Sequence, residues 1–109
     1  MERKNIKDKV KKLVEEADLL DPQNDVLWEI NWRKRLELLT VDLSQTIEYL
    51  DECTEKELAY ATELLEELLQ HFKSPELITC IERNIKRCKD ADTIDSLKFE
   101  LEYIKGMQV

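Results

Sequence analysis

Carboxylates are the most plentiful reactive groups in this chain of 109 residues, and they are concentrated in one stretch. Glu48, Asp51, Glu52, Glu55 and Glu57 crowd one segment, and Glu63, Glu66 and Glu67 follow closely. Carboxylates at such spacing serve acid–base catalysis, metal binding or recognition of positive charge. The first two need companions. A di-iron centre in a helical bundle takes Glu-x-x-His on two helices, and the single histidine, His71, is in no such motif. Cys53, Cys80 and Cys88 form no close pair, so a zinc site would have to gather ligands from across the fold. The only glycine, Gly106, is near the end, which excludes a phosphate-cradling glycine loop. No catalytic site, cofactor or metal is expected, which leaves charge recognition.

The distribution of charge sharpens that reading. Net charge is −8; residues 1–12 hold six Lys/Arg against two acids, residues 13–72 hold four against sixteen, and residues 73–109 hold seven of each. An acidic block of this kind repels nucleic acid and anionic lipid and attracts a basic partner over a Debye length. No apolar run is long enough to cross a bilayer and no signal-peptide pattern opens the chain, so a cytoplasmic protein is expected. Cys80 and Cys88 would sit about 12 Å apart along one helix, too far for a disulfide, and buried free thiols are expected.

The elements that must position these groups are helical. One glycine and two prolines leave little turn chemistry for strands, and apolar residues recur at steps of three and four throughout. The best-specified helix spans Thr54 to Phe72. Thr54 with Glu57 forms a capping box, Cys53 and Leu58 a hydrophobic staple, and Leu58, Ala61, Leu65, Leu68 and Phe72 a buried stripe. Before it, a basic amphipathic helix from Arg3 to Leu19 or Leu20 carries Ile6, Val10, Leu13, Val14, Ala17 and Leu20 inward. Its lysines are expected to stay solvated while the stripe docks on the acidic body.

Asp21–Pro22 restarts the chain as cap and first helical residue, with Asn24 as an alternative cap. The second helix then runs to Leu39, with Leu27, Ile30, Trp32, Leu36 and Leu39 supplying apolar surface and Arg33, Lys34 and Arg35 a basic cluster. Thr40 or Asp42 caps a third helix, Val41 to Leu50, unless residues 25–50 form one bent helix. Ser74–Pro75 starts a helix to Cys88, and Asp92 or Thr93 caps the last, whose stripe is Ile94, Leu97, Leu101 and Ile104 with Phe99 and Tyr103 in a second row. The helix dipole accounts for Glu55 and Glu57 at a helix start. It opposes Glu48, Asp51 and Glu52 at the end of the preceding helix.

These elements predict one all-α domain over residues 1–109: five or six short antiparallel helices in a single bundle or a short curved array of helical hairpins. Glu55 through Ile81 contains the runs Leu64-Leu65-Glu66-Glu67-Leu68, Phe72-Lys73-Ser74-Pro75-Glu76 and Leu77-Ile78-Thr79-Cys80-Ile81. This quarter of the chain resembles small acidic helical immunity proteins of bacterial secreted or contact-dependent toxin systems. The resemblance implies stoichiometric binding of a basic toxin domain, possible nuclease toxins included, with no enzymatic activity. The expected partner surface is Glu48, Asp51, Glu52, Glu55, Glu63, Glu66 and Glu67, with Tyr49 and Tyr60 as anchors. A monomer is expected. The alternative is an adaptor module that self-associates as a dimer through apolar surface around Trp28 and Trp32.

Overall fold

Capping side chains set most of the helix boundaries. In the computed structural model, which describes residues 6–21 and 23–107, the chain forms α1 (Ile6–Asp18), α2 (Asp25–Leu39), α3 (Leu43–Glu52) and α4 (Glu55–Ala61). A 3-10 turn, Thr62–Leu64, leads into α5 (Leu65–Phe72), followed by α6 (Pro75–Arg87) and α7 (Ala91–Met107). Asn24 begins α2 by accepting the Leu27 N–H at 3.2 Å, so the cap lies one turn beyond Asp21, which instead accepts from the Gln23 N–H. Pro22 and residues 3–5 of the expected first helix lie outside the described residues. The Thr40 hydroxyl closes α2 on the Leu36 carbonyl and Asp42 opens α3 on the Ser44 N–H, which makes residues 25–50 two helices. Ser74 caps α6, with Pro75 in the first turn. Asp90, rather than Asp92 or Thr93, caps α7, its carboxylate accepting both the N–H and the hydroxyl of Thr93.

The helix expected from Thr54 to Phe72 is broken. Its capping box is present, with Thr54 and Glu57 bonded reciprocally, but the 3-10 turn separates α4 from α5. Two side chains of α2 hold the break. Trp32 Nε1 donates to the Glu63 carbonyl at 3.3 Å and Arg35 Nη1 to the Tyr60 carbonyl at 3.3 Å, while the Thr62 hydroxyl donates back to the Ala59 carbonyl at 2.6 Å. Backbone acceptors that a tightened turn leaves short of partners are thereby satisfied from a neighbouring helix. With α4 and α5 taken as two arms of one rod, the described residues form six helical rods.

One core unites them. Val10 and Val14 of α1, Leu39 of α2, Leu50 of α3, Leu58 of α4, Leu65, Leu68 and Leu69 of α5, Leu77 and Ile81 of α6 and Leu97 and Leu101 of α7 are all buried in a single cluster. α1 packs on α2, α3 and α4, α2 also reaches α5, and the main partner of α3 is α6. An array of stacked hairpins would restrict each helix to its sequence neighbours. Contacts that skip neighbours make this a bundle.

Two helices depart from their expected faces. α2 buries Asn31 and Arg35 along with Leu39, and leaves Leu27 46 % and Ile30 44 % exposed. Phe99 and Tyr103 of α7 are 67 % and 45 % exposed, so the second apolar row never reaches the core. No helix among the described residues is long and apolar enough to cross a membrane.

Candidate partner-binding surface

The nine residues expected to meet a partner do not form one surface, because most are turned toward other parts of the chain. Tyr49 is 2 % exposed. Its hydroxyl donates to Glu57 Oε2 at 3.0 Å, and burial, with Cys53 and Glu57 beside it, pushes the phenol far above its ordinary pKa. It is a core residue, placed there by the period that also buries Thr46 and Leu50, and cannot anchor a partner.

The carboxylates at the end of α3 find cations elsewhere in the fold. Lys7 of α1 lies 2.8 Å from Glu48 and 2.6 Å from Glu52, and these bonds, Glu48 first, raise the lysine pKa. Asp51 accepts from Arg83 at 2.8 Å and from Asn84 at 3.0 Å. Burial raises the Asp51 pKa, but Arg83 and Asn84 outweigh it and the net shift is downward. Arg87 then covers the last turn of α3, donating to the Leu50 carbonyl at 2.8 Å and the Cys53 carbonyl at 3.0 Å. The opposition between acidic side chains and the helix C-terminus is thus resolved by basic residues of α1 and α6.

Glu55 has a structural duty as well. Its Oε1 accepts the N–H groups of Lys89 at 2.7 Å and Asp90 at 3.0 Å and the Cys88 thiol at 3.3 Å, fastening the connection between α6 and α7. The Lys89 N–H, then Cys88 and Asp90, hold its carboxyl below the usual range. Tyr60 is half-buried, and its hydroxyl donates to Asp18 at 3.0 Å. Glu63 lies 3.4 Å from Arg35 Nη2.

Arg35 is the polar centre of the fold. At 1 % exposed, it donates through Nε to Asn31 Oδ1 at 2.8 Å, and its guanidinium carbon lies 5.8 Å from the Trp28 ring centre and 5.5 Å from that of Tyr60. Asn31 in turn donates to the Leu13 carbonyl at 2.8 Å. Arg33 and Lys34 remain exposed, so the expected basic cluster loses its third member to the interior. A planar guanidinium suits that site because it stacks on two rings while its fork reaches three acceptors.

Glu66 and Glu67 behave differently. Glu66 accepts from Gln70 at 3.3 Å, and among the described residues neither glutamate has a cation partner. Facing them from α7 is Glu100, whose Oε2 is buried without a hydrogen bond; burial first, then Glu66 and Glu67, raise its pKa. Sequence reasoning missed Glu100. The available signal was its register, three residues after Leu97 and four before Ile104, which puts it on the edge of the buried stripe. The same register places Tyr103 beyond Glu100 on that flank and Phe99 beyond Tyr103. The result is a set of three like charges flanked on α7 by the exposed Tyr103, with Phe99 on the side of α7 opposite the buried stripe.

Burial holds the thiols in their protonated form. Cys53, Cys80 and Cys88 are buried and free, and burial pushes Cys53 to about 11 and Cys80 to about 12, away from the reactive thiolate. Among the described residues no group of His, Cys, Asp and Glu could hold a metal ion. No protein-family model, curated protein or solved structure matches the chain.

Proposed function

We propose that this protein is an acidic binding protein that neutralises a basic partner stoichiometrically, in the manner of the toxin-immunity proteins that residues 55–81 resemble. The observation that carries the reading is the α5–α7 face. Among the described residues Glu66, Glu67 and Glu100 face one another without a cation, and Tyr103, on the same flank of α7 as Glu100, is exposed. An aromatic anchor among unneutralised carboxylates suits a partner that brings Lys or Arg and an apolar pocket. Binding there would relieve the mutual repulsion of the glutamates. The carboxylates of the α3–α4 junction contribute field and on-rate, since their individual charges are already paired.

The test is a titration of purified chain into basic, toxic nuclease domains at low salt. Activity of a cognate domain should fall linearly to zero at one equivalent. Glu67→Lys combined with Tyr103→Ala should weaken inhibition about 100-fold while leaving the helical content intact. A chain that inhibits none of the basic domains encoded near it, or whose inhibition ignores that double variant, overturns the reading.

A further inference from the structure

The flank of α7 away from Glu100 forms one wall of a groove, and α6 forms the other. The groove measures about 590 Å³, within the range of roughly 300–1,000 Å³ that small-molecule sites occupy. Its floor is apolar, with Leu101 buried and Ile85 half-buried against the core. The short connection between α6 and α7 makes them antiparallel, so the two ends of the groove are distinct. Glu82 and Lys105 bridge the helices at 3.1 Å at the end far from that connection. Lys86 and Lys98 line the end near it, one from each helix.

The charges of the lining decide what the groove can hold. With Glu82 and Lys105 paired, Lys86 and Lys98 are exposed cations without an acidic partner among the described residues, and Glu102 is an exposed anion likewise unpaired. Two like charges from different helices thus line one opening in a chain whose net charge is −8. A single anionic head between them is attracted by both, and their stems extend the apolar floor toward it. Glu102 follows Lys98 by one turn, away from the connection, and repels an anion from the middle of the groove. The head therefore belongs at the Lys86–Lys98 end and the apolar body over the floor. A cation has only Glu102 to meet and two lysines to pass.

We infer that the α6–α7 groove is a binding site for a small anionic amphiphile, with a carboxylate or phosphate head held by Lys86 and Lys98 and a short hydrocarbon body laid over Ile85 and Leu101. The bridge of Glu82 and Lys105 closes the far end, so a docked helix would have to displace it, whereas a short hydrocarbon fits before it. The site shares no residue with the α5–α7 face and stands or falls apart from the inhibition proposed above.

Octanoate titrated into the isotope-labelled full chain, with amide shifts read by nuclear magnetic resonance, tests the assignment. Shifts should saturate with a Kd of about 1 mM, as suits some ten non-hydrogen atoms in an open groove, and should cluster at residues 82–86 and 98–105. Octyl phosphate should shift the same residues, and the tighter of the two identifies the head as phosphate or carboxylate. Octanol and inorganic phosphate should each bind at least about tenfold more weakly, because each lacks one half of the chemistry. Lys86→Glu combined with Lys98→Glu should weaken octanoate at least about tenfold, and Glu102→Gln should strengthen it about twofold, a gain that misfolding cannot produce. Far-ultraviolet circular dichroism should be unchanged in both variants, all three side chains being exposed. Shifts centred on the exposed Val26, Leu27 and Ile30 overturn the inference, as does octanol binding as tightly as octanoate or a double lysine variant that binds like the wild type.

Discussion

At the junction of α3 and α4, Glu48, Asp51, Glu52 and Glu55 each meet a cation or a row of donors from a distant part of the chain. On the α5–α7 face, Glu66, Glu67 and Glu100 meet, among the described residues, one another and Gln70 but no cation. Both regions look alike as composition. They differ in what the fold has already done with the charge: the first set is used to assemble the bundle, the second is held against its own repulsion. Density of acidic residues therefore says little about where a basic partner binds, and the absence of an internal counter-charge says more.

The largest test of this division is at Arg35, a buried cation that reaches the exposed Glu63 between the two sets. Arg35→Ala should cost about 3–5 kcal/mol in urea unfolding, by stranding Asn31 and the Tyr60 carbonyl beside a new cavity. Arg35→Met should cost clearly less, since its stem refills the space. Next comes Asp51→Ala, expected to lose about 1–2 kcal/mol because Arg83 and Asn84 forfeit a charge-assisted acceptor. Loss below a few tenths would place Asp51 with the unspent group.

The α5–α7 set should respond with the opposite sign. Glu100→Gln should stabilise by a few tenths of a kcal/mol at neutral pH, after allowance for solvent screening of a partly exposed group. A loss of stability would mean that Glu100 has an attractive role. The smallest effect is in pH dependence. Asp51 and Glu55 have folded pKa values below 3.8 and 4.5, so their contribution is present above those values and is lost as pH falls through the folded ones. Glu100 has a folded value above 4.5, so its contribution is full below that and is lost as pH rises through the folded value. Acidification toward about pH 5 should therefore slightly stabilise the wild type but not Glu100→Gln, and only further acid should unravel the junction.

What could be read in the sequence was local. The capping box at Thr54, the Ser74–Pro75 start of α6, the stripe of α1 and the buried thiols all depend on residues within a turn or two of each other, and all are present. The failures share a cause. α2 turned the wrong way because Asn31 and Arg35 are polar in isolation, yet acceptable inside once Leu13, Tyr60 and Glu63 supply their partners. Tyr49, expected as a surface anchor beside the acidic cluster, is instead a core residue whose hydroxyl donates to Glu57, eight residues on. The α7 cap fell on Asp90 because its carboxylate reaches both polar groups of Thr93, an economy that residue type alone does not rank.

The break between α4 and α5 also bears on the order in which the bundle assembles. Residues 54–72 on their own have the pattern of one continuous helix, and the Thr62 hydroxyl is the side chain of the segment that bonds the tightened turn. The carbonyls of Tyr60 and Glu63 gain their side-chain donors from Arg35 and Trp32 when α2 arrives. An excised 54–72 peptide, made helical by cosolvent, should accordingly be straight. In the refolding chain the bend is then a timestamp: it records the moment α2 docks, and slowing that docking by Trp32→Phe should delay the kink without delaying helix formation on either side of it.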